Sequence, residues 1–311
     1  MTGVNTDLRI HDQPLAEAIR RTKAFAKKKL ASYSVNVGTK CAHGCTYCSS
    51  GAVLRCHRSF TETGENPFET GYAIIDSTMP DKVAIAARRK RSRGLVMLCT
   101  TTDAWDPVAQ SHGMGRRCLE AILAEPGWTV RILTKNAAVV QDFDLIARHR
   151  DRVLVGVSLT GTPDKGKLLQ AIEPNASPIS ERMTALREAT RLGLRTYAML
   201  CPLLPGIADG RPEIRELIQF AKDCRVEEVF AEPVNPRGKG LSFTEEVLRE
   251  AGHLVEAERL AHIRCKANWS AYVVRLVADV QQVVRQHRIA DRFRFLLYGS
   301  DLTLPDQARI Q

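Results

Sequence analysis

The chain has 311 residues, of which 44% are hydrophobic, so it can bury a full core and form one domain with extensions. It has neither an apolar run of the ~20 residues that span a bilayer nor an apolar signal-peptide core, and its nine cysteines are scattered, so we predict a cytoplasmic protein without membrane association or a disulfide framework. The net charge of +10, concentrated at residues 27–29 and 88–93, favours an anionic partner such as nucleic acid or a nucleotide, although each basic run also suits a solvated helix end.

The first 30 residues form a basic extension in which the sequence predicts a helix over 14–29, with Leu15, Ile19 and Phe25 as its apolar positions. A strand is predicted at 33–38, directly before a cysteine-rich loop. The following residues, 49–78, are rich in Gly, Ser, Thr and Pro and form an irregular stretch that is longer than a routine connection. We expect this stretch to help line a site.

Regular alternation of helices and strands begins near residue 80. Strands are predicted at 95–99, 129–133, 153–159, 196–200 and 228–231, and helices at 80–91, 116–124, 137–149, from 178 (with Ser177 as N-cap) and from 212. With the strand at 33–38 this makes six short β-branched or apolar runs, a composition typical of buried parallel strands. The fold class is therefore α/β, an open six-stranded (β/α) partial barrel over residues 31–240.

Residues 241–311 are predicted to form a C-terminal α/β extension that caps or closes the open barrel. A capping-box pattern at 242–245 precedes an amphipathic helix with Leu248, Ala251, Leu254 and Val255 on one side. A second helix is predicted at 268–287, and a last strand at 293–298.

Three cysteines stand in a C-x3-C-x2-C pattern: Cys41, Cys45 and Cys48. Thiolates are preferred ligands of iron–sulfur clusters and of zinc, and a tight loop of three suits a [4Fe-4S] cluster with one iron left without a protein ligand. Zinc usually takes a fourth Cys or His from a second pair, and no such pair follows. The nearby residues His43, Cys56 and His57 keep zinc open as an alternative.

Stretches rich in polar residues follow four of the predicted strands, at residues 99–107, 134–136, 158–160 and 232–235, and the stretch 201–206, which begins with Cys201, follows the strand at 196–200. The C-terminal ends of parallel barrel strands share one rim, where reactive groups belong. A scaffold alone does not need hydroxyl, amide and lysine groups repeated at one rim, so we expect the site there.

The cysteine pattern after an early strand resembles the signature of the radical S-adenosylmethionine (SAM) superfamily. Within it, the ordered stretches 41–48, 101–107, 132–146, 157–158, 173–178 and 202–206 resemble the spore photoproduct lyase-like branch. Ser49 stands where relatives carry a second aromatic residue, and residues 99–103 differ from glycine-rich versions. These departures leave the substrate open.

The resemblance implies a radical SAM enzyme, in which one electron from a [4Fe-4S] cluster cleaves SAM to a 5'-deoxyadenosyl radical that abstracts hydrogen from the substrate. It also implies an electron donor such as flavodoxin or ferredoxin. The implied cluster ligands are Cys41, Cys45 and Cys48. The implied cofactor-binding residues are Tyr47 near the adenine, Lys135 at the SAM carboxylate, Ser158 near the ribose, Thr101, Thr102 and Asp103 at the methionine end, and Pro202. The implied hydrogen donor to the product radical is Cys99, for which an inert cysteine in a buried strand is the alternative.

The substrate suggested by this branch is a nucleic acid or nucleotide, with a peptide or a small metabolite as alternatives. A different class remains open, namely a nucleic-acid-binding protein whose cysteines hold a structural metal. Four other cysteines are expected to be small buried hydrophobes: Cys118, Cys201, Cys224 and Cys265. An auxiliary cluster built from them would require an iron content well above about four per chain.

Overall fold

The computed structural model describes residues 8–297 and 299–310, and its strands and helices alternate along most of the chain. The described strands are β1 (Arg9–Asp12), β2 (Arg20–Arg21), β3 (Tyr33–Val35), β4 (Gly38–Lys40), β5 (Tyr72–Ile75), β6 (Leu95–Leu98), β7 (Thr129–Thr134), β8 (Val153–Ser158), β9 (Arg195–Leu203), β10 (Glu228–Pro233) and β11 (Phe293–Phe295). The described α-helices are α1 (Lys23–Lys27), α2 (Ser50–Leu54), α3 (Arg58–Thr63), α4 (Met79–Arg89), α5 (Pro107–Ser111), α6 (Met114–Leu123), α7 (Phe143–Arg148), α8 (Gly166–Ile172), α9 (Ile179–Arg191), α10 (Arg211–Asp223), α11 (Gly240–Glu250), α12 (Leu254–His262), α13 (Lys266–His287) and α14 (Leu304–Ile310). Short 3-10 helices cover Ala137–Asp142, Pro163–Lys165 and Gly299–Asp301.

The main sheet has the strand order β11-β10-β9-β8-β7-β6-β3-β2. All neighbours pair in parallel except β2, which is antiparallel to β3. The six predicted strands, β3 and β6 to β10, are adjacent and in chain order, and each crossover between them contains helices. The predicted open (β/α) barrel is therefore confirmed. A small sheet of order β1-β5-β4 lies beside it.

The two faces of the barrel sheet have different partners. Alternate strand residues such as Val96, Val155 and Leu200 belong to the two large clusters that include the surrounding helices. The residues between them belong to a third cluster, which makes the inner face: Met97, Leu154, Tyr197, Met199, Phe230 and Leu296. Leu30 and Ala31 join this inner cluster, with Phe25 packed against it. The N-terminal segment therefore fills part of the barrel interior.

The prediction of a single helix over 14–29 is wrong. Thr22 caps a helix of only five residues by accepting a hydrogen bond from the Phe25 amide at 3.3 Å. Ile19 packs in an outer cluster, whereas Phe25 packs at the inner face, so these residues do not form one helix face.

The stretch 49–78 is also more ordered than predicted, because it contains α2, α3 and β5. All four residues of β5 are buried, and β5 pairs with β1 and β4. Ser177 does not cap α9, since its Oγ accepts a hydrogen bond from the Ala137 amide at 2.9 Å.

The C-terminal region contains the predicted helices and strand with shifted boundaries. Because α11 begins at Gly240, the predicted capping box lies inside that helix. Leu254 and Val255 are exposed on α12 and do not share a face with the buried Leu248. β11 pairs with β10, while Tyr298 lies outside the described residues.

The segments outside the predicted core contribute to the same sheet, since β2 and β11 form its two edges. The boundaries at residues 30 and 240 stay predictions. Within the described residues, no helix combines the length and apolar character needed to cross a membrane.

Candidate functional site

The loop that carries the three cysteines of the C-x3-C-x2-C pattern, residues 41–48 and called the cluster loop below, follows β4 and borders a cavity of about 250 Å³. Its three cysteines are half-buried and line this cavity. The Thr46 amide donates to the Ile172 carbonyl at 3.0 Å, which ties the loop to α8. Gly44 has a φ of 65°, and a Cβ there would lie 3.3 Å from Pro174. The loop conformation therefore requires glycine at this turn.

Burial controls the protonation of these thiols. It raises the pKa of Cys45 to about 12. Burial, followed by the nearby Asp106 carboxylate, raises the pKa of Cys41 well above its usual range. The metal-free loop therefore holds neutral thiols at these two positions, which must release protons when they bind a metal.

The cluster loop is fixed to the barrel through a buried ion pair between His43 and Asp103. The His43 Nε2–H donates to the Asp103 carboxylate at 2.9 Å, and its Nδ1–H donates to the Asn175 carbonyl at 3.1 Å. Burial alone lowers the pKa of His43, but the charge of Asp103 raises it overall. Asp103 also accepts hydrogen bonds from the Thr134 hydroxyl and the Lys135 amide, which joins the loop to β7.

The three residues considered as further zinc ligands are either hydrogen-bonded to other protein groups or exposed. Both ring nitrogens of His43 have protein partners, and His57 Nδ1 accepts from the Ser59 amide as the cap of α3. Cys56 is exposed. In the described part of the chain, no three His, Cys, Asp or Glu side chains are close enough together to hold a single metal ion. The identity of the metal on the cluster loop stays a prediction.

A buried carboxylate, Glu173, lies at the centre of a second network. Its oxygens accept from the Tyr47 hydroxyl, from the Thr160 hydroxyl at 2.6 Å and from Arg182. The Lys135 ammonium is 3.1 Å from the same carboxylate. Burial alone raises the pKa of Glu173, but Arg182 and then Lys135 hold it far below its usual range. Tyr47 and Lys135 are therefore positioned by one fixed negative charge.

Lys135 reaches from the end of β7 across the ends of β8 and β9. Its ammonium donates to the Ser158 hydroxyl at 2.7 Å, the Thr160 hydroxyl at 3.0 Å and the Cys201 carbonyl at 3.2 Å, and it lies 5.6 Å from the centre of the Tyr47 ring. With the Glu173 carboxylate, five protein groups thus surround this cation.

The loop after β6 is organised by Asn36, which follows β3. The Asn36 Oδ1 accepts from the backbone amides of Thr100 and Thr101 at 2.9 Å each and of Thr102 at 3.4 Å. One side chain thereby fixes three successive amides at the cavity edge. The Ser50 hydroxyl adds a hydrogen bond to the Thr101 carbonyl at 3.0 Å.

The side of the cavity formed by the ends of β9 and β10, called the β9/β10 wall below, consists of Cys201, Pro202, Glu232, Pro233 and Asn235. Glu232 accepts from the Lys28 ammonium at 2.7 Å, and the Cys201 Sγ–H donates to the same carboxylate at 3.7 Å. Burial, followed by the charge of Glu232, raises the pKa of Cys201, so its thiol is neutral. The N-terminal extension, which the sequence did not link to any chemistry, thus reaches the site through Lys28.

Comparison with known proteins agrees with this geometry. A family model described as "Radical SAM superfamily" matches residues 35–221, well over half of the chain. The chain belongs to the radical SAM superfamily.

The similarity extends to a relative of unassigned function and to solved structures. The uncharacterized protein ORF301 of Acidianus two-tailed virus is 27% identical over 227 residues, which is 70% of this chain and 72% of the relative. A cysteine-to-serine mutant of spore photoproduct lyase has a similar fold, with a TM-score of 0.60 at 15% identity over 93% of this chain and 82% of that one. A second spore photoproduct lyase mutant, solved with bound AdoMet and dinucleoside spore photoproduct, gives a TM-score of 0.54 at 16% identity over 78% of this chain and 66% of that one.

In this radical SAM chain, all eleven site residues predicted from the sequence line the same cavity: Cys41, Cys45, Tyr47, Cys48, Cys99, Thr101, Thr102, Asp103, Lys135, Ser158 and Pro202. Their individual roles stay predictions. The donor set fits the group that the family implies, since three thiols and the polar residues at the strand ends line the same cavity.

Several residues of the site were missed from the sequence. Asn36, His43 and Glu173 each organise a loop through hydrogen bonds that the sequence analysis did not predict, although His43 was considered for zinc and Glu173 lies in the resembling stretch 173–178. Cys201 was expected to be an inert core residue, but it lines the cavity. Cys265 was expected to be buried, but it is exposed and caps α13.

The basic run 88–93 lies away from the site. It connects α4 to the start of β6, at the end of the barrel opposite the cavity. There, Tyr33 donates to the Ser92 carbonyl at 2.8 Å, and Arg93 pairs with Glu125 at 3.1 Å. Of the two basic runs, only 27–29 approaches the site.

Proposed function

We propose that this radical SAM enzyme carries a [4Fe-4S] cluster on Cys41, Cys45 and Cys48, binds SAM in the adjoining cavity and abstracts hydrogen from a nucleic acid or nucleotide. The observation that carries the proposal is that the cluster loop and the polar ends of β6 to β10 line one cavity. When bound, the cluster and SAM supply the electron and the 5'-deoxyadenosyl radical.

The residues of the chain bind, orient and shield these groups. The three thiols act as thiolate ligands, and the His43–Asp103 pair keeps their loop against the barrel. The Lys135 ammonium, which also pairs with the Glu173 carboxylate, would donate to the SAM carboxylate, and Glu173 accepts from the Tyr47 hydroxyl beside it. The hydroxyl groups of Thr101, Thr102 and Ser158 line the cavity and would contact the rest of the cofactor. The barrel walls keep water from the reactive carbon.

The substrate class is supported by charge and by similarity. The net charge of +10 attracts anions. One neighbour in fold is described as a lyase bound to a dinucleoside photoproduct. A one-electron donor of the flavodoxin or ferredoxin class completes the proposal.

Anaerobic reconstitution tests the cofactor. We expect about four iron and four sulfide per chain and reductive cleavage of SAM. Changing Cys41, Cys45 or Cys48 to Ala removes both properties, whereas Cys118→Ala retains them because Cys118 is buried away from the cavity. Zinc without SAM cleavage contradicts the proposal, and full cleavage by any of the three single variants contradicts the ligand assignment.

Oligonucleotide binding tests the substrate class separately. We expect affinity that falls steeply as salt concentration rises, because phosphate contacts release counterions. Flat or absent binding by a protein that still cleaves SAM redirects the search to peptides and small metabolites.

A further inference from the structure

The β9/β10 wall lines the same cavity as the cluster loop. Glu232 is the ionic group of this wall, and its side chain is 28% exposed, whereas its partner Lys28 is 10% exposed. Glu232 therefore lines the cavity as the more exposed member of the pair, and Lys28 is its more buried partner.

The hydrogen-bonding capacity of Glu232 is only partly used by the contacts described above. Its Oε1 accepts from Lys28 and its Oε2 accepts from Cys201, whereas a carboxylate offers about four acceptor positions. Because Lys28 neutralises the charge, the pair has no net attraction for a cation. The group it favours is a neutral N–H or O–H, which forms a strong hydrogen bond with a carboxylate.

The surroundings of Glu232 favour a flat partner. Pro233 and Pro202 directly follow Glu232 and Cys201 in the chain, and together with Leu133 they give the cavity apolar surface. A ring packs its faces on such surfaces and directs its edge at the acceptor. Among the parts of a nucleotide, only the base combines apolar faces with an N–H edge.

We propose that Glu232 selects the substrate by accepting a hydrogen bond from the N–H edge of its nucleobase, with Lys28 as the positioning residue for that carboxylate. The inference rests on the proposed nucleic-acid or nucleotide substrate. It gives the N-terminal extension a role in specificity.

The test compares two probes that differ in one hydrogen-bond donor, thymidylyl-thymidine and its N3-methylated derivative, on the anaerobically reconstituted enzyme with SAM. The wild-type protein is expected to bind the unmodified probe at least about ten-fold more tightly, the scale of one hydrogen bond to a charged group. Glu232→Leu should bring this ratio close to one, and Glu232→Gln should lower it while keeping the side-chain size. Glu216→Leu, a change at an exposed glutamate of α10, should leave the ratio unchanged.

The role of Lys28 is tested on the same ratio. Lys28→Met should reduce the ratio and Lys28→Arg should restore it, whereas Lys27→Met, at an exposed neighbour, should have no effect. Iron content and the urea unfolding transition should match the wild type in all variants, which shows that they fold and load the cluster. A ratio that is the same in wild type and Glu232→Leu, or a wild type that binds both probes equally, overturns the inference and leaves the proposed function standing. Failure of the wild type to bind either probe refutes the nucleotide substrate itself, and the inference falls with it.

Discussion

Replacing Glu173 with Gln tests whether the buried network behind Tyr47 and Lys135 holds the site together. Glu173 and Arg182 have side-chain exposures of only 1% and 2%, and they form a direct ion pair. Glutamine keeps the size of the side chain but removes its charge. The Arg182 cation then remains buried without its principal counter-charge.

The expected loss follows from that burial. Breaking one side of a buried ion pair costs about 3–5 kcal/mol in unfolding free energy. The exposed pair Glu188–Arg191 has similar chemistry at 2.7 Å, with side-chain exposures of 38% and 69%, and such pairs contribute at most about 1 kcal/mol. A domain is stabilised by only about 5–15 kcal/mol, so Glu173→Gln removes a large share and Glu188→Gln a small one.

Urea denaturation of the apo-protein measures both losses. Adding Arg182→Met to Glu173→Gln should recover part of the stability, because the unpaired charge is then removed as well. Equal losses for the variants at Glu173 and Glu188, or a loss below about 1 kcal/mol at Glu173, would show that the buried network does not stabilise the fold in this way.

Three further predictions concern the cavity. Lys135→Met should weaken SAM binding by roughly 10-fold to 150-fold, the scale of a hydrogen bond to a charged group, with the iron content unchanged. The matched change Lys167→Met, at an exposed position of α8, should leave the dissociation constant unaltered, and an unchanged constant for Lys135→Met would refute its role. Cys99→Ala should still cleave SAM but divert the substrate radical to abnormal products, whereas normal product at a normal rate would identify Cys99 as core packing. Gly240→Val should lower cluster occupancy, because a Cβ there lies 2.8 Å from a backbone carbonyl oxygen of the cluster loop. The control is Gly166→Val at the first residue of α8, where an added Cβ meets no atom within 4 Å, and this variant should retain the cluster. Equal iron content in the two variants would count against the steric argument.

The barrel was predictable because its strands are short buried apolar runs separated by helices. Each of these runs is recognisable from residues that are neighbours in the sequence. The same holds for the cluster ligands, since three cysteines within eight residues carry their own signal. The rim residues could be found by their position after each strand, which follows from parallel topology alone. It was therefore possible to predict that these residues share one site without knowing any side-chain contact.

The failures have a common physical cause, which is that the deciding contacts are distant in sequence. Asn36 binds amides 64 to 66 residues later, and Lys28 reaches a carboxylate 204 residues later. A single Asn, Lys or Glu has no local pattern that indicates such a partner. β5 was missed for a related reason, because its strand partners β1 and β4 lie in separate segments and its flanks are rich in turn residues.

The packing of α11 against the cluster loop has a consequence for how the protein is made. The Thr46 hydroxyl lies 2.9 Å from that of Thr244, which follows it by 198 positions, and Gly240 lies directly against Tyr47. At about 5–20 residues per second, a ribosome needs roughly 10–40 s to add that stretch. During biosynthesis the loop therefore exists for that time without the C-terminal contacts that hold Thr46 and Tyr47 in the finished chain.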